Sequence, residues 1–195
     1  MHYYFTAVSL IAGICLGFGV LHLFIGLRRK DHKLLNLTFA LFALCYAATL
    51  FNGIRWYSTS NISEYITINR IDAVFVTGAF VSLIWYVSFY TDYQPRIILS
   101  WLSLLLIIPG LVLIIFPEAF IGEVSGLTSI ALPWGEELAN LIHSGSIWFD
   151  LVLIARLAAL VYIIIALVHQ YRHGNRKAAG VLSLGMLPFL AGIFY

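Results

Sequence analysis

Residues 146–169 read SIWFDLVLIARLAALVYIIIALVH, an almost uninterrupted apolar run whose formal charges are those of Asp150 and Arg156. A helix needs about 20 mostly apolar residues to cross the hydrocarbon core of a bilayer. This run is long enough, and we mark similar runs at roughly 4–27, 34–54, 71–91, 97–116 and 178–195. The pattern therefore predicts an all-α membrane protein, built as an up-and-down transmembrane helical bundle with six spans.

The composition of the whole chain agrees with this prediction. Of the 195 residues, 62% are hydrophobic and only 10% are charged, and the mean hydropathy is +0.95. A soluble domain has about 45–50% apolar and about 25% charged residues, so a soluble enzyme, a disordered chain and a disulfide scaffold are excluded. The net charge of +2 is too small to indicate a nucleic-acid partner. Cys15 and Cys45 lie in apolar runs, and we expect them to be packing residues.

Basic residues are distributed unevenly among the connections, which predicts the orientation. Eight of the 11 lysines and arginines follow the first, third and fifth spans: Arg28, Arg29, Lys30, Lys33, Arg96, Arg172, Arg176 and Lys177. Cytoplasmic loops carry an excess of such residues. We therefore expect these connections in the cytoplasm and the N-terminus outside.

The chain is predicted to be a single transmembrane domain over residues 1–195, because no linker divides it. Its first apolar run is too long for a cleaved signal peptide and lacks a basic leading segment, so it is predicted to be a span. The last run stops at Tyr195 without a polar tail. We expect the natural chain to continue into a seventh helix.

The longest connection, 117–145, is predicted to lie outside. Leu138, Leu141 and Ile142 recur at helical spacing after the turn residues Pro133 and Gly135, which predicts a short amphipathic helix at the interface. Two interpretations stay open: the helix covers the mouth of the bundle, or it is a passive connector.

Two further patterns concern packing within the bundle. Gly13 and Gly17 form a GxxxG step, and Gly78 with Ser82 forms a similar small-residue step, so both let helices approach closely. We expect these contacts inside the bundle, and contacts between two copies of the chain are the alternative. Trp56 is among the aromatic residues expected to anchor the outer interface.

A few charged residues fall at the outer half of the spans, where they indicate a functional site. Arg156 lies near the middle of the fifth span, Asp150 is nearer its outer end, Asp72 and Arg70 open the third span, and Arg55 closes the second. Charges in the hydrocarbon region are costly unless they are paired or hydrated. One interpretation is a ligand pocket edged by charged side chains and covered by the loop around Trp134; the candidate ligand-binding residues are Arg55, Asp72, Trp134, Asp150 and Arg156. The other is an ion pair of Arg156 with Asp150 or Asp72 that holds helices together.

No sequence motif of a metal, nucleotide or catalytic site is present, and we expect no cofactor, no metal and no catalysis in this chain. His22 and His169 lie at similar depth near the inner ends of the first and fifth spans. They are the one pair that could ligate a haem, although interfacial hydrogen bonding is the favoured role.

The order of these landmarks resembles the N-terminal seven-helix sensor regions that precede PAS, histidine-kinase or diguanylate-cyclase modules in bacterial signalling proteins. The resemblance covers the whole chain and depends on the segments Leu21–Arg29, Ile84–Thr91, Leu132–Glu136, Trp148, Arg172–Lys177 and Leu187–Phe189. It implies a multi-pass signal-input domain in the inner (plasma) membrane of a bacterium, which works as a homodimer and passes a signal to a cytoplasmic output module, as in two-component systems.

We therefore expect a membrane-embedded sensor that binds a small or lipophilic ligand from the periplasmic side and relays a helix rearrangement. Two alternatives remain: a small transporter or permease subunit, and a haem- or quinone-binding redox subunit. Its partners would be the lipid bilayer, a small-molecule signal and the output domain.

Overall fold

A computed structural model describes residues 3–133, 135–174, 176–177 and 179–183. Long helices dominate it, as the sequence predicts. The elements in chain order are α1 (Tyr3–Arg28), α2 (Lys33–Ser58), α3 (Ile62–Thr91), α4 (Arg96–Ile115), α5 (Pro117–Ile121), β1 (Val124–Ala131), β2 (Glu137–His143) and α6 (Ile147–His173).

Five of these helices (α1, α2, α3, α4 and α6) are long and apolar enough to cross a membrane. They coincide with the first five predicted spans, so the predicted helical class is confirmed for the described residues. The sixth predicted span, 178–195, falls mostly outside the described residues; of it, 179–183 are helical. The direction in which the helices cross a bilayer stays a prediction.

Helix α3 is longer than its apolar run, because it begins at Ile62 and not near residue 71. The Asn61 side chain caps the new start by accepting a hydrogen bond of 2.9 Å from the Ser63 N–H. Tyr65 and Ile68 bury this first stretch against the rest of the molecule. The helix therefore extends beyond the apolar run and carries several polar side chains at this end.

The α3 helix is the centre of the bundle. It packs against α2, α4 and α6, whereas α1 packs against α2 at the edge. The main core lies between α3, α4 and α6, and its fully buried side chains include Leu83, Ile84, Leu99 and Ile163. A change in how α2, α4 or α6 packs therefore alters the contacts of α3.

Glycines allow α1 to approach α2 closely, but they are not the ones that the sequence indicates. A Cβ atom on Gly19 would lie 2.8 Å from Leu44 Cγ, and one on Gly26 would lie 3.0 Å from Leu37 Cδ2. Gly13 and Gly17 have open space beside them among the described residues. The prediction that the GxxxG step packs inside the described bundle is therefore wrong, because Gly19 and Gly26 are on the face that meets α2.

The connection 117–145 also differs from its prediction, because it forms a β-hairpin and not an amphipathic helix. Strands β1 and β2 pair antiparallel, with Leu127 opposite Leu141 and Ile130 opposite Leu138. Leucines three residues apart fit either structure in so short a segment, and the partner strand decides by supplying backbone hydrogen bonds. Gly135, with φ of 87°, lies in the turn.

The hairpin packs on the end of the bundle where α2 ends and α3 begins. There Leu127 and Leu141 join an apolar cluster with Trp56, Tyr65 and Phe120. We call this end the hairpin end. The opposite end, which contains the α1–α2 and α3–α4 connections and the end of α6, is called the basic end.

Candidate functional site

Buried polar atoms from two neighbouring helices come together below the hairpin end. Asp72 of α3 is only 7% exposed. It interacts with the side chains of Thr49 and Asn52, which α2 presents from one face. Three atoms of this group, Asp72 Oδ1, Thr49 Oγ1 and Asn52 Nδ2, are buried and have no partner in hydrogen-bonding geometry among the described residues.

Arg156 approaches the same carboxylate from α6. Electrostatic attraction couples the Arg156 guanidinium to Asp72, but the two side chains form neither a direct ion pair nor a hydrogen bond in the described structure. The guanidinium carbon instead lies 5.4 Å from the centre of the Phe80 ring, in a cation–π contact. We call Thr49, Asn52, Asp72 and Arg156 the polar cluster.

Trp56 lies beside the polar cluster on α2, on the side of the hairpin end. Its indole Nε1 is buried and faces Tyr65, but no group reaches hydrogen-bonding geometry with it within the described ranges. The indole ring meets Tyr65 of α3 edge-on, with ring centres 5.2 Å apart. Because Asn52 and Trp56 are four residues apart, they lie on the same face of α2.

This concentration of unsatisfied atoms is the reason to regard the polar cluster as a binding site. In native structures nearly all buried polar atoms have a hydrogen-bond partner, and the exceptions mark a water, a ligand or a functional constraint. Leaving such an atom unpaired costs about 1–3 kcal/mol. Four of them lie within two turns of one helix pair among the described residues. Thr49 and Asn52 face Asp72, and Trp56 faces Tyr65, so the polar cluster is a concentration of polar groups at a buried place and the candidate site of this chain.

The predicted site residues divide into two groups in the structure. Asp72 and Arg156 are brought together, and of the two predicted partners of Arg156 it is Asp72 that it faces. Asp150 is exposed in the first turn of α6, and Arg55 is exposed in the last turn of α2. The structure thus keeps both away from the buried carboxylate, and Trp134 lies outside the described residues.

Arg70, another of the outer charges, has a structural role. Its guanidinium donates two hydrogen bonds, of 3.0 and 2.6 Å, to the carbonyl oxygen of Ile114. That carbonyl is in the last turn of α4, where no further helical N–H follows to satisfy it. Arg70 therefore ties α3 to the end of α4.

Sequence reasoning missed Thr49 and Asn52 and assigned Trp56 to interfacial anchoring alone. A signal was present, because these three polar side chains occur at spacings of three and four residues in an otherwise apolar helix. This spacing puts them on one face. What it leaves open is whether that face meets lipid or another helix.

The hairpin is attached to the start of α1 through Glu136, which is 7% exposed. Its Oε2 atom accepts a hydrogen bond of 2.9 Å from the backbone N–H of Tyr4. A carboxylate at this position interacts favourably with the positive end of the helix dipole. On the other side, the Ser146 hydroxyl donates to the Phe120 carbonyl and fixes the entry into α6.

The two histidines considered as haem ligands belong to separate parts of the bundle. His22 of α1 donates from Nδ1 to the Asn36 side-chain oxygen at 3.0 Å. His169 of α6 lies against Tyr93 and His173. Because α1 packs against α2 while α6 packs against α3 and α4, the structure does not bring the two imidazoles together. Within the described residues there is also no group of three or more potential metal ligands.

No family model, no curated protein and no solved structure matches this chain. A functional assignment therefore has to come from the geometry of the polar cluster.

Proposed function

We propose that this chain is the membrane-embedded signal-input domain of a bacterial signal-transduction protein, and that the polar cluster receives its ligand. The observation that carries the proposal is a set of buried atoms that have no partner in hydrogen-bonding geometry among the described residues: Asp72 Oδ1, Thr49 Oγ1, Asn52 Nδ2 and Trp56 Nε1. A ligand that satisfies these atoms gains hydrogen bonds in a site shielded from water. Such bonds are stronger there than at an exposed surface.

The placement of the polar cluster supports a relay function. It joins α2, α3 and α6, and α3 is the helix against which the others pack. Asp72 and Arg156 attract each other without direct contact, so a ligand between them changes the force that holds α3 to α6. A ligand shifts such a balance only by its different affinity for the two helix arrangements.

The charge distribution supports the orientation that belongs to this function. Arginines and lysines are concentrated at the basic end, whereas Glu64, Glu118, Glu123, Glu136 and Glu137 are at the hairpin end. Under the positive-inside tendency the basic end faces the cytoplasm and the hairpin end faces the periplasm. The ligand would then enter from outside, and a cytoplasmic output module would read the helix ends, as in two-component sensors that act as homodimers.

The test measures binding and helix movement in the same sample. Spin labels are attached at Lys33→Cys on α2 and Arg172→Cys on α6, in a chain that also carries Cys15→Ala and Cys45→Ala. In lipid nanodiscs, a compound library is screened for molecules that raise the Tm of the protein but not that of Asp72→Asn. We expect such compounds to change the distance distribution between the two labels.

Two results would contradict the proposal. One is a screen in which every stabilising compound acts equally on Asp72→Asn and on the unsubstituted protein. The other is Asp72-dependent binding that leaves the distance between the basic ends of α2 and α6 unchanged. The second result, together with uptake of the compound into proteoliposomes, would favour a transporter.

A further inference from the structure

The β-hairpin has two outer edges, and the rest of the molecule covers them differently. Strand β2 packs against α2. Within the described residues the sheet consists of β1 and β2 alone, so the far edge of β1 has no neighbouring strand. Residues 128–131 of β1 are all exposed. We call this far edge of β1, over residues 127–131, the open edge.

The pairing register shows which backbone groups point to the open edge. The Leu132 N–H donates to the Glu136 carbonyl at 2.7 Å, so these two residues form a hydrogen-bonded pair. Hydrogen-bonded and non-hydrogen-bonded pairs alternate along an antiparallel ladder. The residues of β1 in the non-hydrogen-bonded pairs are therefore Leu127, Ser129 and Ala131. Their N–H and C=O groups point away from β2, and none of them bonds to another backbone group within the described ranges.

The contact between Tyr65 and β2 agrees with this alternation. Leu141 lies opposite Leu127, so its backbone groups point to the outer edge of β2. The Tyr65 hydroxyl of α3 faces the Leu141 backbone from that side. The outer edge of β2 is thus directed at the bundle, and the open edge of β1 is directed away from it.

The open edge lacks the features that normally prevent a strand from pairing with another chain. Proteins protect free edges with charged side chains, prolines or bulges. Strand β1 reads VSGLTSIA and contains no charged residue and no proline. Its irregular pairing, between Val124 and Gly126, precedes the open edge. Backbone groups exposed in this way can be bound by the addition of a further strand.

A second copy of the chain fits this edge. Because β1 is neutral, two copies of it can lie side by side without like charges opposite each other. Antiparallel pairing of a strand with its own copy about a two-fold axis uses the same surface on both chains and closes on itself. Copies that share one orientation in a membrane also carry their hairpins on the same side, where lateral diffusion brings the open edges together.

We infer that two copies of the chain pair antiparallel through their open edges and form one four-stranded sheet at the hairpin end. The inference specifies the interface of the homodimer and rests on the proposed function for the dimer itself. With the two-fold axis at Ser129, this residue faces its own counterpart, and Leu127 faces the counterpart of Ala131. Each of these pairs exchanges two backbone hydrogen bonds.

Cysteine cross-linking in the membrane tests the pairing. Ser129→Cys is introduced into a Cys15→Ala and Cys45→Ala background and oxidised with copper phenanthroline. Residues opposite each other in a hydrogen-bonded pair have Cα atoms about 5.5 Å apart, within the range of a disulfide. Asn140→Cys, at another exposed position of the hairpin, is the matched control.

The two variants should differ strongly in this experiment. Asn140 is on β2, so the two copies of this residue would be separated by three strand spacings, about 14 Å. That separation is too long for a disulfide, and we expect at least about tenfold more linked dimer from Ser129→Cys than from Asn140→Cys.

Proline substitution tests the backbone hydrogen bonds. Ser129→Pro removes an N–H that points to the open edge, so it removes bonds to a second copy and none to β2. Ala139→Pro, at the residue opposite Ser129, removes an N–H from the other edge of the hairpin and is the matched control. Dimer formation is measured in liposomes by energy transfer between copies labelled at Asp31→Cys, at the basic end.

We expect Ser129→Pro to weaken dimer formation about tenfold or more, the worth of two lost hydrogen bonds. Ala139→Pro should leave dimer formation unchanged. The Tm of each variant shows whether the hairpin still folds. If Ser129→Pro does not fold, the comparison of Ser129→Cys with Asn140→Cys decides, because those variants keep every backbone N–H.

Three outcomes would overturn the inference. The first is equal cross-linking of Ser129→Cys and Asn140→Cys, and the second is a dimer that persists in Ser129→Pro at an unchanged Tm. The third is a chain that is monomeric in liposomes, which would leave the open edge to an extended segment of another protein. None of these results affects the Asp72-dependent binding that tests the proposed function, so the two can fail separately.

Discussion

At the scale of single residues, Asp72 and Arg156 are the most consequential side chains in the molecule. Charged groups are transferred from water into a buried, apolar environment only at a large cost, which their mutual attraction offsets in part. In this chain the two charges are on different helices, α3 and α6, and they interact without touching. Each therefore depends on the other, and Asp72 Oδ1 accepts no hydrogen bond in good geometry from the described residues.

A double-mutant cycle tests this dependence. We expect Asp72→Asn and Arg156→Gln each to lower the free energy of unfolding, and the double variant to lower it by less than their sum. The coupling should be about 0.5–3 kcal/mol, as for residues that share one network. Reversible denaturation in mixed micelles measures it.

The matched control for this cycle is Asp150→Asn combined with Arg156→Gln. Asp150 is on the same helix as Arg156 but is exposed in the first turn, so these two effects should add. If the effects of Asp72→Asn and Arg156→Gln add, while those of Asp150→Asn and Arg156→Gln are coupled, then the partner of Arg156 is Asp150 and not Asp72.

At the scale of elements, the β-hairpin determines which segments of the chain meet at the hairpin end. It buries Leu138 and Leu141 and brings Glu136 to the first turn of α1. Helix α1 otherwise packs mainly along α2 at the edge of the described bundle. The Glu136 carboxylate thus connects the first helix of the chain with a connection more than 100 residues later.

Substitution of Glu136 tests this connection. Glu136→Gln removes the negative charge from the positive end of α1, and we expect the free energy of unfolding to fall by about 0.3–2 kcal/mol. Hydrogen exchange should become faster at the amide of Tyr4 and its neighbours in the first turn. The adjacent Glu137 is exposed, so Glu137→Gln is the control and should change neither quantity.

If Glu136→Gln and Glu137→Gln accelerate exchange in the first turn of α1 equally, the carboxylate does not hold this helix. Exchange at the end of α1, near Arg28, provides an internal reference, since it lies at the opposite end of the bundle.

At the scale of the whole molecule, the two ends of the bundle differ in charge. The connections at the basic end carry most of the arginines and lysines, and the hairpin end carries most of the acids. Between the ends, large apolar side chains such as Leu10, Phe18, Val161 and Ile164 are exposed on the outer helix faces. Exposed apolar surface of this extent fits a protein surrounded by lipid.

Labelling of single cysteines tests the proposed orientation. In a Cys15→Ala and Cys45→Ala background, Ser60→Cys places a thiol at the hairpin end and Asp31→Cys places one at the basic end; both positions are exposed. A membrane-impermeant maleimide should label Ser60→Cys in spheroplasts, and Asp31→Cys only after the membrane is permeabilised. The reverse pattern would show that the basic end faces outward.

The sequence by itself determined the long helices, for a physical reason that is local. A backbone in an apolar medium must satisfy its own hydrogen bonds, so an apolar run of about 20 residues in a bilayer is expected to be helical whichever helices lie beside it. The same reasoning pointed to Asp72 and Arg156, because a charge in such a run is costly unless it faces a partner. It pointed equally to Asp150 and Arg55, and the choice of Asp72 as the partner of Arg156 needed the packing of the helices.

Only the tertiary structure decided the β-hairpin and the membership of the polar cluster. The hairpin depends on hydrogen bonds between two separate segments, 124–131 and 137–143, and neither segment specifies a strand on its own. The polar cluster depends on the rotation of α2 about its axis, which turns Thr49 and Asn52 toward Asp72. Neutral polar side chains are tolerated on either face of an apolar helix, so that rotation is set by packing between helices and is not encoded in any single run of residues.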